Sequence, residues 1–215
     1  MKSVLLIGLG DFGMHIAKEL SYSNSEVLAV DVNEDRVNEA LKYVTDAQIG
    51  DCTNKEYIQS LGVSNFDVCV VTIGDDLQSS LVTVTLLKEY GAVRVVARAS
   101  NEMHETLLVK VGADSTLYPE KQLASWTAVS CTSDTVLDYI KLSEDYAIFE
   151  LMVPSEWIGK SVVEIDVRKK YAVNVLGIKR DDDLTMSISP STVFEENDSV
   201  FVLGNKKSIQ KAFKI

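Results

Sequence analysis

The first thirteen residues constrain this chain more than any other stretch. Lys2-Ser3-Val4-Leu5-Leu6-Ile7 is a short apolar run rich in branched side chains, and Gly8-Leu9-Gly10-Asp11-Phe12-Gly13 follows without a gap. A strand, then G-x-G-x-x-G, then the helical stretch from Met14 to Leu20 is the context that a dinucleotide fingerprint requires. In that context Gly8 permits the tight turn off the strand. Gly10 lets phosphate approach the backbone, and Gly13 lets the helix pack closely on the sheet. The free N–H groups at the start of the helix would hold the phosphates.

The spacing to the next strand adds a second constraint. Glu26-Val27-Leu28-Ala29-Val30 reads as that strand, and Asp31 closes its carboxyl end. A carboxylate there accepts hydrogen bonds from ribose hydroxyls and repels a 2′-phosphate, which argues against NADP. Arg36 is a counterweight to that charge, placed near the adenine or in solvent.

Repeating strand and helix patterns continue to about Tyr118. Helices are expected over Asn33–Tyr43, Asn54–Leu61, Leu77–Tyr90 and Glu102–Val111. Strands are expected over Thr45–Gly50, Phe66–Thr72, Val93–Arg98 and Ser115–Tyr118. Phe66–Thr72 is nearly all apolar, as buried parallel strands are. Six strands with intervening helices make a complete α/β, Rossmann-like, doubly wound parallel sheet over residues 1–118. The sheet ends without a catalytic domain of useful size.

Residues 119–143 read as linker or crossover helices. Pro119 opens the first, and Thr132 or Ser133 caps a second that runs to about Lys141. Trp126 suits either a core or an interface. From 144 to 215 short strands and turns take over, with Trp157 as an anchor, a helix over Val162–Lys170, a charged hairpin tip at Arg180–Asp183 and a final helix over Lys206–Phe213. A small α+β domain of this size has a marginal core, so self-association is expected.

Bulk properties remove other classes. Lys plus Arg number 21 against 32 Asp plus Glu, a formal charge of −11, and no basic run is present. Nucleic acid is therefore not an expected partner. His15 and His104, the two histidines, leave little room for a zinc site; His15 reads as buried in the first helical turn or packed beside it. Cys52, Cys69 and Cys131 are too scattered for a disulfide framework, and Cys69 reads as a buried thiol. No apolar run approaches the roughly 20 residues that span a bilayer, and no signal peptide precedes the first strand, so a cytosolic protein is expected. A small NAD-dependent oxidoreductase is the rival reading, but neither histidine nor any Tyr–Lys arrangement supplies its acid and base. The protein is therefore expected not to be an enzyme.

Taken together, Gly8–Gly13, Asp31, Ile49-Gly50-Asp51, Thr72-Ile73-Gly74, Val95–Ala99 and Asn174–Ile178 resemble the RCK (TrkA-N/TrkA-C) family over the whole chain. The likeness is greatest to its single-RCK, KtrA/KtrC-type regulatory subunits of potassium uptake. That resemblance implies a cytoplasmic gating subunit, peripheral to the inner face of the cell membrane and partnered by a KtrB/TrkH-like potassium-translocating subunit. It implies homodimers assembling into an octameric ring, and ATP or ADP, alternatively NAD(H), in the Rossmann site. Gly8, Gly10, Asp11, Phe12 and Gly13 would form the phosphate loop, with Asp31 on the ribose and Asn33 and Arg36 near ribose and adenine. Asp51 and Cys52 would meet the base edge, Thr72, Ile73 and Gly74 the opposite wall, and Arg98 the phosphates.

For Arg98 an internal ion pair is the alternative to a phosphate contact, since a guanidinium ending a buried strand needs an anion. Glu120 resembles the family carboxylate that holds Mg2+ or another divalent cation; on its chemistry alone it is a surface glutamate. In the second domain Ile165, Arg168, Asn174 and Pro190 match contacts to cyclic di-AMP in relatives. The alternative is a dimerisation module in which Ile165 is core and Arg168 is solvated.

Overall fold

The computed structural model describes residues 1–131, 133–181 and 183–215, and divides into two compact units, Met1–Glu120 and Lys121–Ile215.

In the first unit β1 (Lys2–Ile7), β2 (Ser25–Asp31), β3 (Asp46–Ile49), β4 (Val68–Val71), β5 (Val95–Arg98) and β6 (Ser115–Leu117) form one parallel sheet in the order β3-β2-β1-β4-β5-β6. Between them lie α1 (Asp11–Ser21), α2 (Glu34–Ala40), α3 (Lys55–Ser60), α4 (Leu77–Glu89) and α5 (Glu102–Lys110). The strand order reverses between β1 and β4, so a crevice is expected at their carboxyl ends. Residues of β1 alternate between two cores. Val4 and Leu6 join Met14, Ala17, Val27 and Val37, while Leu5 and Ile7 join Cys69, Val71, Val84 and Leu87. Both sheet faces are covered, which is why these strands read as continuous apolar runs. Four of the helices start on a side chain that accepts from the first turn: Asn33, Asn54, Asp76 and Asn101.

The second unit is built on an antiparallel sheet of β7 (Val136–Lys141), β8 (Tyr146–Met152), β9 (Asn174–Arg180), β10 (Asp183–Thr185) and β11 (Ser199–Asn205), ordered β10-β9-β11-β8-β7. The remaining elements are α6 (Pro119–Cys131), which begins at the boundary, α7 (Val162–Ile165), α8 (Val167–Tyr171) and α9 (Lys206–Phe213). Trp157 anchors this core, with ring centroids 5.5 Å from Phe194 and 4.8 Å from Phe213. Ile209, Ala212 and Phe213 form the buried stripe of α9.

Three expectations need correction here. Val136–Lys141 is an edge strand paired with β8, not a second linker helix. The apolar spacing of Val136, Tyr139 and Ile140 is that of a helix, but pairing with β8 makes a strand, and a register shift between Val136 and Asp138 leaves both Val136 and Tyr139 buried. Thr132, one of the suggested caps, lies outside the described residues; Ser133 instead meets Thr135, with hydroxyl oxygens 2.6 Å apart. The helix expected over Val162–Lys170 is two short helices, because Asp166 between them takes a left-handed conformation with φ 51°. Trp126 is 40% exposed and its indole N–H donates to Asp138 at 2.8 Å.

Candidate nucleotide site

The glycine loop leaves β1 at Gly8, whose φ of +93° suits glycine alone. Gly13 is needed for packing: a Cβ there would lie 2.0 Å from the Gly8 carbonyl oxygen. Gly10 differs from both. It has ordinary extended backbone, with φ −64° and ψ −175°, and a Cβ would meet no atom within 4 Å. Its Cα faces open space in front of α1. Leu9, Gly10 and Asp11 also line a cleft of about 240 Å3 together with Met14, His15, Lys18, Arg36 and Glu39. His15 is exposed on the outer side of α1, so of its two readings burial in the first turn is the one that does not hold.

Asp31 at the end of β2 is 7% exposed. Its Oδ2 accepts the Leu9 N–H at 2.5 Å, and its Oδ1 accepts the Asn33 N–H at 2.8 Å. The carboxylate thus fixes the glycine loop to the next strand. A carboxylate has about four acceptor positions, so a ribose hydroxyl can still be taken. Asn33 is committed to capping α2, accepting from the Arg36 N–H at 3.1 Å. The Arg36 guanidinium stands 3.9 Å from Asp31, half in solvent.

Beyond Asp31, the Gly50 N–H donates to the Asp31 carbonyl at 3.0 Å and carries β3 into the same edge. Asp51 is exposed and accepts from the Thr53 N–H at 2.8 Å and the Thr53 hydroxyl at 2.7 Å, closing that turn. Cys52 is buried. Burial first, then the charges of Asp51 and Asp31, push its thiol up to about 12, so it is a neutral group and no nucleophile. On the opposite side the Thr72 hydroxyl lies 2.6 Å from the Gly8 carbonyl and 3.1 Å from that of Ile7. Thr72 therefore supports the loop from behind. Ile73 is half-buried and Gly74 buried beside it.

Arg98 ends β5 and reaches across this edge. Its guanidinium covers Gly74, where a Cβ would come 2.9 Å from Nη1, and its Cζ is 5.5 Å from the Phe12 ring centroid. Nη2 donates to Glu120 at 2.6 Å. The internal ion pair, one of the two readings of Arg98, is thus present. The carboxyl ends of β1, β2, β3, β4 and β5 therefore gather every residue expected at the nucleotide.

The TrkA-N domain family matches residues 4–119 and the TrkA-C domain family residues 146–215. The chain is 38% identical to the Ktr system potassium uptake protein C of Bacillus subtilis and 39% identical to the Ktr system potassium uptake protein A of the same organism. Each comparison covers 98% of this chain and 95% of the relative. The chain belongs to the TrkA-N/TrkA-C family. Within it this is a regulatory, non-catalytic member of the kind tied to Ktr and Trk potassium uptake. Among solved structures, the GsuK channel bound to NAD shares the fold, with a TM-score of 0.69 at 18% identity. It aligns with 99% of this chain, which spans 39% of that channel chain. No helix among the described residues is long and apolar enough to cross a membrane.

Of the remaining expected residues, Glu120 meets this edge through Arg98 and the other four belong to the second unit. Glu120 opens α6, and its carboxyl is held below the usual range by its own backbone N–H and then by Arg98. Among the described residues no three His, Cys, Asp or Glu side chains gather as a metal site. In the second unit Ile165 is a core side chain at 7% exposure, while Arg168, Asn174 and Pro190 are exposed. The Pro190 carbonyl accepts the Val163 N–H at 3.0 Å, which places Pro190 beside α7.

Two polar clusters have no counterpart in the sequence reading. His104 is 1% exposed, with Nδ1 accepting the Ser100 N–H at 3.3 Å and Nε2 3.0 Å from the Ser80 hydroxyl. The accepting Nδ1 fixes a neutral ring that donates through Nε2, and burial lowers its pKa from 6.5. Arg180, read as part of a charged tip, instead grips buried Asp198 through both edges of its fork, Nε to Oδ1 at 2.8 Å and Nη2 to Oδ2 at 2.9 Å. Asp182 of that tip lies outside the described residues. Nothing in the sequence signals these pairings, since their partners are 24 and 18 residues away.

Proposed function

We propose that this chain is the nucleotide-binding gating subunit of a Ktr/Trk-type potassium uptake system. ATP or ADP sits on the glycine loop with its ribose on Asp31, and the difference between the two nucleotides changes how paired copies assemble. The observation that carries this reading is Gly10: its space is open where a phosphate must come, while the glycines on either side are filled by the fold. The open backbone, the α1 N-terminus and Arg98 together favour an anion there. NAD(H) fits the same loop and the same ribose carboxylate, and is the second ligand class. A divalent cation at Glu120 would take its other ligands from phosphate oxygens and a second copy. The second unit is proposed to dimerise, and a cyclic dinucleotide would reach it through Arg168, Asn174 and Pro190. The partner is a membrane-embedded KtrB/TrkH-like subunit, met from the cytoplasmic side by an octameric ring of this chain. Gating requires that one nucleotide bind two ring states with different affinity; tight binding alone shifts nothing.

The test is calorimetric titration with ATP, ADP, NADH and cyclic di-AMP, each with and without magnesium. The account expects at least one of the first three to bind once per chain, and Asp31→Ala to abolish it. Binding of cyclic di-AMP alone would move control to the second unit and leave the first as a scaffold.

A further inference from the structure

Arginine recognises a phosphate or carboxylate best through the side of its fork, where the Nε and Nη2 N–H groups point in parallel at two oxygens. Arg180 shows that arrangement complete, with Nε and Nη2 each on one oxygen of Asp198. Arg98 shows it half used. Its Nη2 donates to Glu120 at 2.6 Å, while its Nε is buried and has no hydrogen-bond partner among the described residues. The guanidinium is also the better enclosed of the two: the Arg98 side chain is 20% exposed and that of Arg180 43%. A buried N–H without a partner is costly, so this geometry favours an anion that takes both sides of the fork.

The Arg98 guanidinium lies over Gly74 and near the Phe12 ring, and Phe12 belongs to the glycine loop. An anion on the loop therefore approaches the same group that holds Glu120. Glu120 is the weaker claimant, since its side chain is 54% exposed and water can replace the lost bond.

Building on the nucleotide reading above, we infer that a nucleotide phosphate and Glu120 compete for the Nη2 edge of Arg98, so that ligand binding releases Glu120 at the first turn of α6. The phosphate takes Nε and Nη2 together, and the freed carboxylate becomes available to a cation. Occupancy of the loop is thereby reported at Glu120, whose helix α6 runs on from Pro119 to Cys131.

Competition has a sign that mere support does not. With a chelator present, the full chain is titrated with ATP, ADP and adenosine, as wild type and as Glu120→Gln. The inference expects Glu120→Gln to bind ATP and ADP about fivefold more tightly, since the displaced pair is worth about one surface ion pair, and adenosine no differently. In an Arg98→Lys background, which keeps the charge and removes the fork, the gain should shrink to less than about twofold. The Nε–H resonance of Arg98 should also shift on adding ATP. Equal or weaker ATP binding by Glu120→Gln, with wild-type binding intact, overturns the inference alone. If the wild-type chain binds no nucleotide, the nucleotide reading falls and the inference with it.

Discussion

Two arginines end strands in the two halves of this molecule, and they are used in opposite ways. Arg180 at the end of β9 satisfies Asp198 with both sides of its fork, adds Glu195 through Nη1 and reaches the Val193 carbonyl with Nη2. Arg98 at the end of β5 holds one carboxylate and leaves a buried Nε without a partner. The two aspartates repeat the contrast. Asp198 is fully enclosed; burial pushes its carboxyl up, but the Arg180 hydrogen bonds, the Glu195 N–H and the Arg180 charge together hold it below the usual range. Asp31 binds two backbone N–H groups and keeps acceptor positions beside an open loop. A saturated polar group holds a fold together. An incompletely satisfied one at the edge of a parallel sheet is where a ligand belongs.

The largest test of that contrast is Asp198→Ala. It leaves Arg180 without its main partner, and the second unit should lose about 3 kcal/mol, read by denaturant unfolding, while nucleotide affinity stays within about twofold. A large loss of nucleotide affinity without unfolding would break the contrast. Next comes Gly13→Ala, whose Cβ would fall 2.0 Å from the Gly8 carbonyl oxygen. The first unit should lose about 2 kcal/mol and its nucleotide site together, because the loop must move to make room.

Acid gives a third, smaller effect. His104 is buried with its pKa below 6.5, so the unfolded chain takes up the proton first. Its contribution to stability is complete above about pH 6.5 and is lost as the pH falls through the lower folded value. Urea midpoints of the first unit should fall with pH in that window. The slope should vanish in His104→Leu, although that variant is less stable throughout.

The first half was legible because its signals are local. Gly8–Gly13, Asp31 and the apolar runs placed all six strands to within about three residues. The second half was less so. Val136–Lys141 carries the apolar spacing of a helix, and only the partner strand β8, with a register shift after Val136, makes it a strand. Asp166 gave no warning of its left-handed turn, since most aspartates avoid that region. The site shows the same division. Its glycines and Asp31 follow from spacing, whereas the Arg98–Glu120 pair depends on where β5 and α6 end in space. Two of the expected contact residues also serve the scaffold: Asn33 caps a helix and Thr72 supports the loop from behind.

The smallest expected effect on folding belongs to Gly10, and it gives the most direct measurement. Gly10→Val places a branched side chain where nothing lies within 4 Å, on backbone that any residue adopts, so stability should change by less than about 0.5 kcal/mol. The measurement is titration of wild type and Gly10→Val with ATP and NADH, beside their melting curves. The account predicts wild-type binding that falls at least about tenfold in the variant, with the melting curve unmoved. Equal binding by both proteins, or none by the wild type, would contradict it.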